Sequence, residues 1–126
     1  MTKGLNLQVL TEANIARIPE FRNAKGEICH SEDGSSWSLA QWCNATLGEL
    51  GEAANVIKKI DRGDLTLEEA RENLGKEIAD TLTYLTILAY RADIDLSKAT
   101  IDKWNEISDR IGSNLVLEHD RYYRTL

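Results

Sequence analysis

The sequence predicts an all-α protein, a single domain over residues 1–126. Three observations predict it. Apolar residues recur with the period of a helix in successive stretches. Each long stretch opens on a side chain that caps helices. One proline, Pro19, stands in 126 residues, and aromatic and β-branched residues are too sparse for a β-sandwich. A chain of this length can bury a core of its own.

The first helix takes residues 5–18, "LNLQVLTEANIARI". It ends before Pro19, which disfavours helical geometry at the residue preceding it. Residues 22–36, "RNAKGEICHSEDGSS", are rich in glycine, serine and charge and read as a long loop. Loops of that length in small domains are often functional. Ser36 or Ser38 caps a second helix running to about Ile60. "DRGD" (Asp61–Asp64) is a turn. Thr66 with Glu69 forms a capping box for a third helix reaching about Ala92. Asp95 or Ser97 caps a fourth helix, which stops at Gly112. The tail, "SNLVLEHDRYYRTL", carries no clear period. The short turn between the second and third helices predicts an antiparallel hairpin.

Bulk chemistry narrows the function. The net charge of −6 opposes binding to nucleic-acid backbones or anionic membranes. It leaves a polyphosphate substrate open, because metal ions reverse the local sign of a site. Cys29 and Cys43 form no CxxC pair, and with His30 they lack zinc-ligand spacing. Reduced thiols, no signal-peptide layout and no apolar run long enough to span a bilayer predict a cytoplasmic protein.

The informative residues are carboxylates. On the second helix, at about 100° per residue, Trp42, Ala45, Ala53, Val56 and Ile60 fall within about 40° of Glu49. Leu39, Leu50 and Ile57 widen that apolar stripe, and Glu52 borders it. On the third helix Ala70, Leu74, Tyr84 and Leu88 lie near Glu77. Ile78, Leu82 and Leu85 continue the stripe, with Asp80 to one side. Each helix thus offers a pair at i, i+3: ExxE on one, ExxD on the other. A single ExxE is common and ordinarily marks a solvated face. Two pairs on consecutive helices, both off the polar face, are less common. If the stripes pack together, four carboxylates converge. They then require a cation or partial protonation. All-oxygen ligation suits Mg²⁺ or Mn²⁺. A di-iron bundle is disfavoured, because neither His30 nor His119 completes an ExxH motif.

"GELGEAANVIKK" followed by "LGKEIADTLTYLTILAY" resembles the MazG-like all-α nucleoside triphosphate pyrophosphohydrolases. "KWNEISDRIGSN" (Lys103–Asn114) is similar to the fourth-helix segment of small, phage-type members. The resemblance spans about residues 36–114 and implies a four-to-five-helix bundle completed by oligomerisation, as a homodimer or homotetramer. It implies hydrolysis of (deoxy)nucleoside triphosphates between the α- and β-phosphates, giving the monophosphate and pyrophosphate, with a lean toward dGTP or GTP. Glu49, Glu52, Glu77 and Asp80 would hold two or three Mg²⁺ ions, replaceable by Mn²⁺. Tyr84 matches the family's aromatic four residues beyond the ExxD aspartate. Asn105 matches an asparagine used near the phosphates or sugar.

The sequence departs from the family at two places. Gly48 stands where many members carry a further glutamate. Ser108 stands where many carry a lysine or arginine. Phosphate-clamping roles then fall to Lys59, Lys76, Lys103 and Arg110, any of which is otherwise a solvated surface cation. Trp42 stacks on the base or serves as core, and His30 with its loop could close over a base. Two rival readings are a dUTPase-like or phosphoribosyl-ATP pyrophosphohydrolase with the same metal site, and a non-catalytic helical interaction module.

Overall fold

The computed structural model describes residues 4–126. Four α-helices precede a β-hairpin: α1 (Leu7–Arg17), α2 (Leu39–Asp61), α3 (Leu67–Arg91), α4 (Leu96–Ile111), β1 (Leu115–Glu118) and β2 (Arg121–Arg124). Local chemistry sets each boundary. The Asn6 side chain caps α1 by accepting from the Val9 N–H. Ile18–Glu20 close that helix as a 3₁₀ turn around Pro19. Of the two serines that could begin α2, Ser38 does so, in a capping box with Gln41. Thr66 and Glu69 form the expected box on α3. Asp95 rather than Ser97 caps α4, and Gly112 ends it at φ 72°.

The main departure from an all-α chain lies in the tail. Residues 115–124 form an antiparallel hairpin, with Leu115 opposite Arg124 and Glu118 opposite Arg121. It is pinned to α4 by one side chain. The Asn105 amide donates to the Leu117 carbonyl and its Oδ1 accepts from the Leu117 N–H, both at 2.9 Å. A carboxamide thereby acts as a third strand's peptide group.

α2 and α3 pack along each other as the antiparallel pair, with Arg62–Asp64 at the turn, and α1 lies against α3. The core is small and off-centre: Ile18, Trp42 and Ile87, flanked by Ile15, Trp37, Tyr84 and Leu88. The loop before α2 is tied down rather than loose. Its backbone bridges Arg22 to Ile28. Asp33 accepts from the Ser31 hydroxyl and the Ser35 N–H. Gly34, at φ +75°, lies under Trp42, whose indole N–H donates to the Gly34 carbonyl at 3.0 Å.

Much of the predicted apolar stripe is uncovered in a single chain. Leu39, Leu50 and Ile57 on α2 and Ile78 and Leu85 on α3 are all exposed. Cys29 and Cys43 are free thiols at the surface. No helix among the described residues is long and apolar enough to cross a membrane.

Candidate functional site

The hairpin brings the carboxylates together. Glu49 and Glu52 project from α2 and Glu77 from α3, each placing an oxygen within 4.8 Å of the others. Glu49 and Glu77 are half-buried and Glu52 is exposed. Glu77 Oε2 is buried and meets no hydrogen-bond donor. Asp80 stands outside this close triple, yet its charge acts on both Glu49 and Glu77.

Crowding makes these groups weaker acids, as like charges should. Desolvation lifts the Glu49 carboxyl above the usual range, and the charges of Glu52 and Asp80 lift it further. Glu77 is raised first by sharing a hydrogen bond with the Glu52 carboxyl, then by desolvation and by its three acidic neighbours. The Tyr84 phenol is raised by burial and by Glu49 and Asp80, so it keeps its proton and remains a donor. No lysine or arginine pairs with these carboxylates among the described residues. Buried oxygen without a donor, and anions without a counter-charge, are the features a bound cation would resolve.

Two recesses flank the cluster. One is a cavity of about 400 Å³ with Glu49 and Asp80 at one end, Trp42, Tyr84 and His30 among its walls, and Asn14, Arg17 and Phe21 contributed from the α1 side. Its aromatic wall is continuous. Trp42 lies 5.1 Å from His30 and 6.1 Å from Tyr84, centroid to centroid. Trp37 stands edge-on to His30 at 4.6 Å. Burial lowers the His30 pKa, which favours the neutral ring. The other recess is shallower and holds Glu52, Glu77, Asn55, Asn73 and Lys59.

The remaining predicted residues divide cleanly. Trp42 is both core and cavity wall, 1% exposed. Lys59 reaches the shallow recess. Lys76 pairs instead with Glu72, and Lys103 with Glu106, on exposed helix faces. Arg110 sits in the last turn of α4. The Asn105 amide is taken up by Leu117. Within one chain, none of these last four lines either recess. The contribution of α1 was not foreseen from the sequence. A signal existed: Asn14 occupies the helical row of Leu7, Leu10 and Ile18, where an apolar residue belongs.

Fold and site together define a helical-hairpin protein with an acidic cluster between two helices and an aromatic cavity beside it. No family model and no solved structure matches the chain. The Gene 37 protein of Mycobacterium phage L5 is 33% identical to it over 84 residues, covering 65% of this chain and 70% of that protein. The chain belongs to the family of that phage protein.

Proposed function

We propose that this protein is a Mg²⁺-dependent nucleoside triphosphate pyrophosphohydrolase of the MazG-like kind, releasing pyrophosphate and a nucleoside monophosphate. One observation carries the reading: three carboxylates converge within 4.8 Å, with Glu77 Oε2 buried and undonated, at the mouth of an aromatic cavity. The donor set fits a hard cation, being all oxygen, anionic and free of competing bases. Glu49, Glu52, Glu77 and Asp80 would hold two or three Mg²⁺ ions, with Mn²⁺ able to substitute. When bound, such ions supply the positive charge and Lewis acidity that an anionic phosphate chain requires.

The chain's own residues do the rest. Bare, the cluster repels a triphosphate, so binding waits on the cation. Tyr84 offers a flat face to a base, backed by the buried Trp42. Lys59 stands on the opposite side of the cluster, where a phosphate tail leaving that cavity would run. The resemblance to phage-type members favours dGTP or GTP. The uncovered stripe of Leu50, Ile57, Ile78 and Leu85 fits a second copy of the chain, as a homodimer or a dimer of dimers. Light scattering after size exclusion tests that part directly.

The test of activity is a screen of all common NTPs and dNTPs with Mg²⁺, reading pyrophosphate separately from phosphate. Pyrophosphate from dGTP, and none from the Glu52→Gln variant, supports the reading. Turnover restricted to dUTP or phosphoribosyl-ATP selects the rival hydrolases. No turnover of any triphosphate and no metal-induced thermal shift would leave the helical interaction module.

A further inference from the structure

At the inner wall of the aromatic cavity sits a polar group that the core does not need. Asn14 is 4% exposed, on α1, and lines the cavity. Its Nδ2 donates to Thr86 Oγ1 at 2.8 Å. Thr86 is fully buried on α3, and its hydroxyl donates to the Thr83 carbonyl at 2.7 Å. That second bond fixes the first. The single Thr86 hydrogen is spent on Thr83, so Oγ1 can only accept from Asn14. The amide orientation therefore follows from the network and is not a free choice. Asn14 Oδ1 meets no donor among the described residues and stays open to solvent.

An amide carbonyl that no protein group uses, on a helical row where an apolar residue would serve the core, is free for a ligand in the cavity. The cavity is the place where its missing partner can arrive. Resting on the proposed triphosphate substrate, we infer that Asn14 reads the base, accepting an N–H from an exocyclic amine or ring imide on its polar edge. Tyr84, backed by the buried Trp42, holds the base's face, and Thr86 is the positioning residue that keeps the acceptor turned inward. A site built around a fixed acceptor discriminates strongly, because a ligand without the donor leaves that acceptor buried and unpaired.

The test compares dGTP, dATP, dCTP and dTTP with 2-deoxyribose 5-triphosphate, which carries the phosphates but no base. The readout is the ratio of kcat/KM for the best dNTP to that for the abasic compound. Asn14→Leu lowers this ratio by about 10- to 100-fold, the range expected when one buried hydrogen bond is lost. Asn14→Asp loses the N–H donated to Thr86, so it lowers the ratio as well. Thr86→Val frees the amide and lowers the ratio, whereas Thr86→Ser retains it. A general loss of folding or chemistry lowers numerator and denominator together, so the ratio does not register it. An unchanged ratio in Asn14→Leu, or an unchanged ratio in Thr86→Val, overturns the inference while the hydrolase reading stands. No pyrophosphate from any triphosphate with the wild-type protein overturns both.

Discussion

Replacing Glu49 by glutamine removes a charge from a cluster that has too many, and the consequence differs with and without metal. Oxygens of Glu52 and Glu77 lie within 4.8 Å of a Glu49 oxygen. At that separation each like-charge pair costs about 0.9 kcal/mol in a water-like dielectric. Glu52 is exposed and Glu49 and Glu77 are only half-buried, so the water-like value is the one taken. Two pairs give ~2 kcal/mol, reduced to about 1 kcal/mol because the raised pKa values mean that the carboxyls are not all ionised together. For a chain of 126 residues that raises Tm by about 4 °C in EDTA. In ~10 mM Mg²⁺, a wild-type site of about 1 mM affinity gains ~1.4 kcal/mol, and a variant binding tenfold more weakly gains ~0.4 kcal/mol. The two proteins then melt together. Acid supplies a second check. The Glu49 pKa is raised by folding, so its ionisation costs stability at neutral pH and nothing below the ordinary glutamate range. The advantage of the variant fades as pH falls toward about 4. The assay is thermal melting with EDTA and with Mg²⁺ at each pH. An advantage that persists undiminished in Mg²⁺ would refute the cation site, and a variant that melts lower in EDTA would refute the repulsion.

Three further outcomes are expected. Gly34→Ala places a Cβ 3.1 Å from Trp42 and 3.2 Å from Ile18 at φ +75°, and should cost about 2 kcal/mol, read as a lower denaturant midpoint. Asn105→Ala breaks two bonds to Leu117 and should cost about 1–3 kcal/mol. Turnover per folded molecule in that variant separates the hairpin role from a substrate role, since a substrate contact would raise KM at full occupancy of the fold. The Asp33 carboxyl is held down to about 2, chiefly by its bonds from Ser35. A depressed pKa stabilises above the ordinary value and is lost below it. The 31–36 turn should therefore hold above about pH 4 and loosen toward pH 2, seen as a change in Trp42 and Trp37 fluorescence.

The helical framework was legible because its signals are local. Ser36 or Ser38 announces one helix start, Thr66 with Glu69 another, and Gly112 announces a stop. The carboxylate faces followed from angular arithmetic alone. The tail was not legible, because its hairpin turn runs through His119 at φ 37° rather than through an Asn-Gly or Asp-Gly pair. Its docking rests on Asn105, whose partner at Leu117 is on no common face that a wheel could display. Asn14 stands out on its apolar row, but its partner Thr86, 72 residues away, is shown by no local pattern. The stripe of Leu50 and Ile57 was read as inward, and in one chain it faces outward; periodicity shows that a face is apolar without showing what covers it.

The distance between Asn14 and Thr86 along the chain has a consequence for how such a protein can change. All four carboxylates lie in one contiguous piece, α2 and α3 with the turn between them. The far wall of the cavity, from Asn14 through Phe21 to His30, comes from the stretch that precedes α2. The two halves are written in separate parts of the gene. Recombination with a crossover near Ser38 would give one helical hairpin a new leading segment, and so a new far wall to the cavity, with the acidic cluster inherited whole.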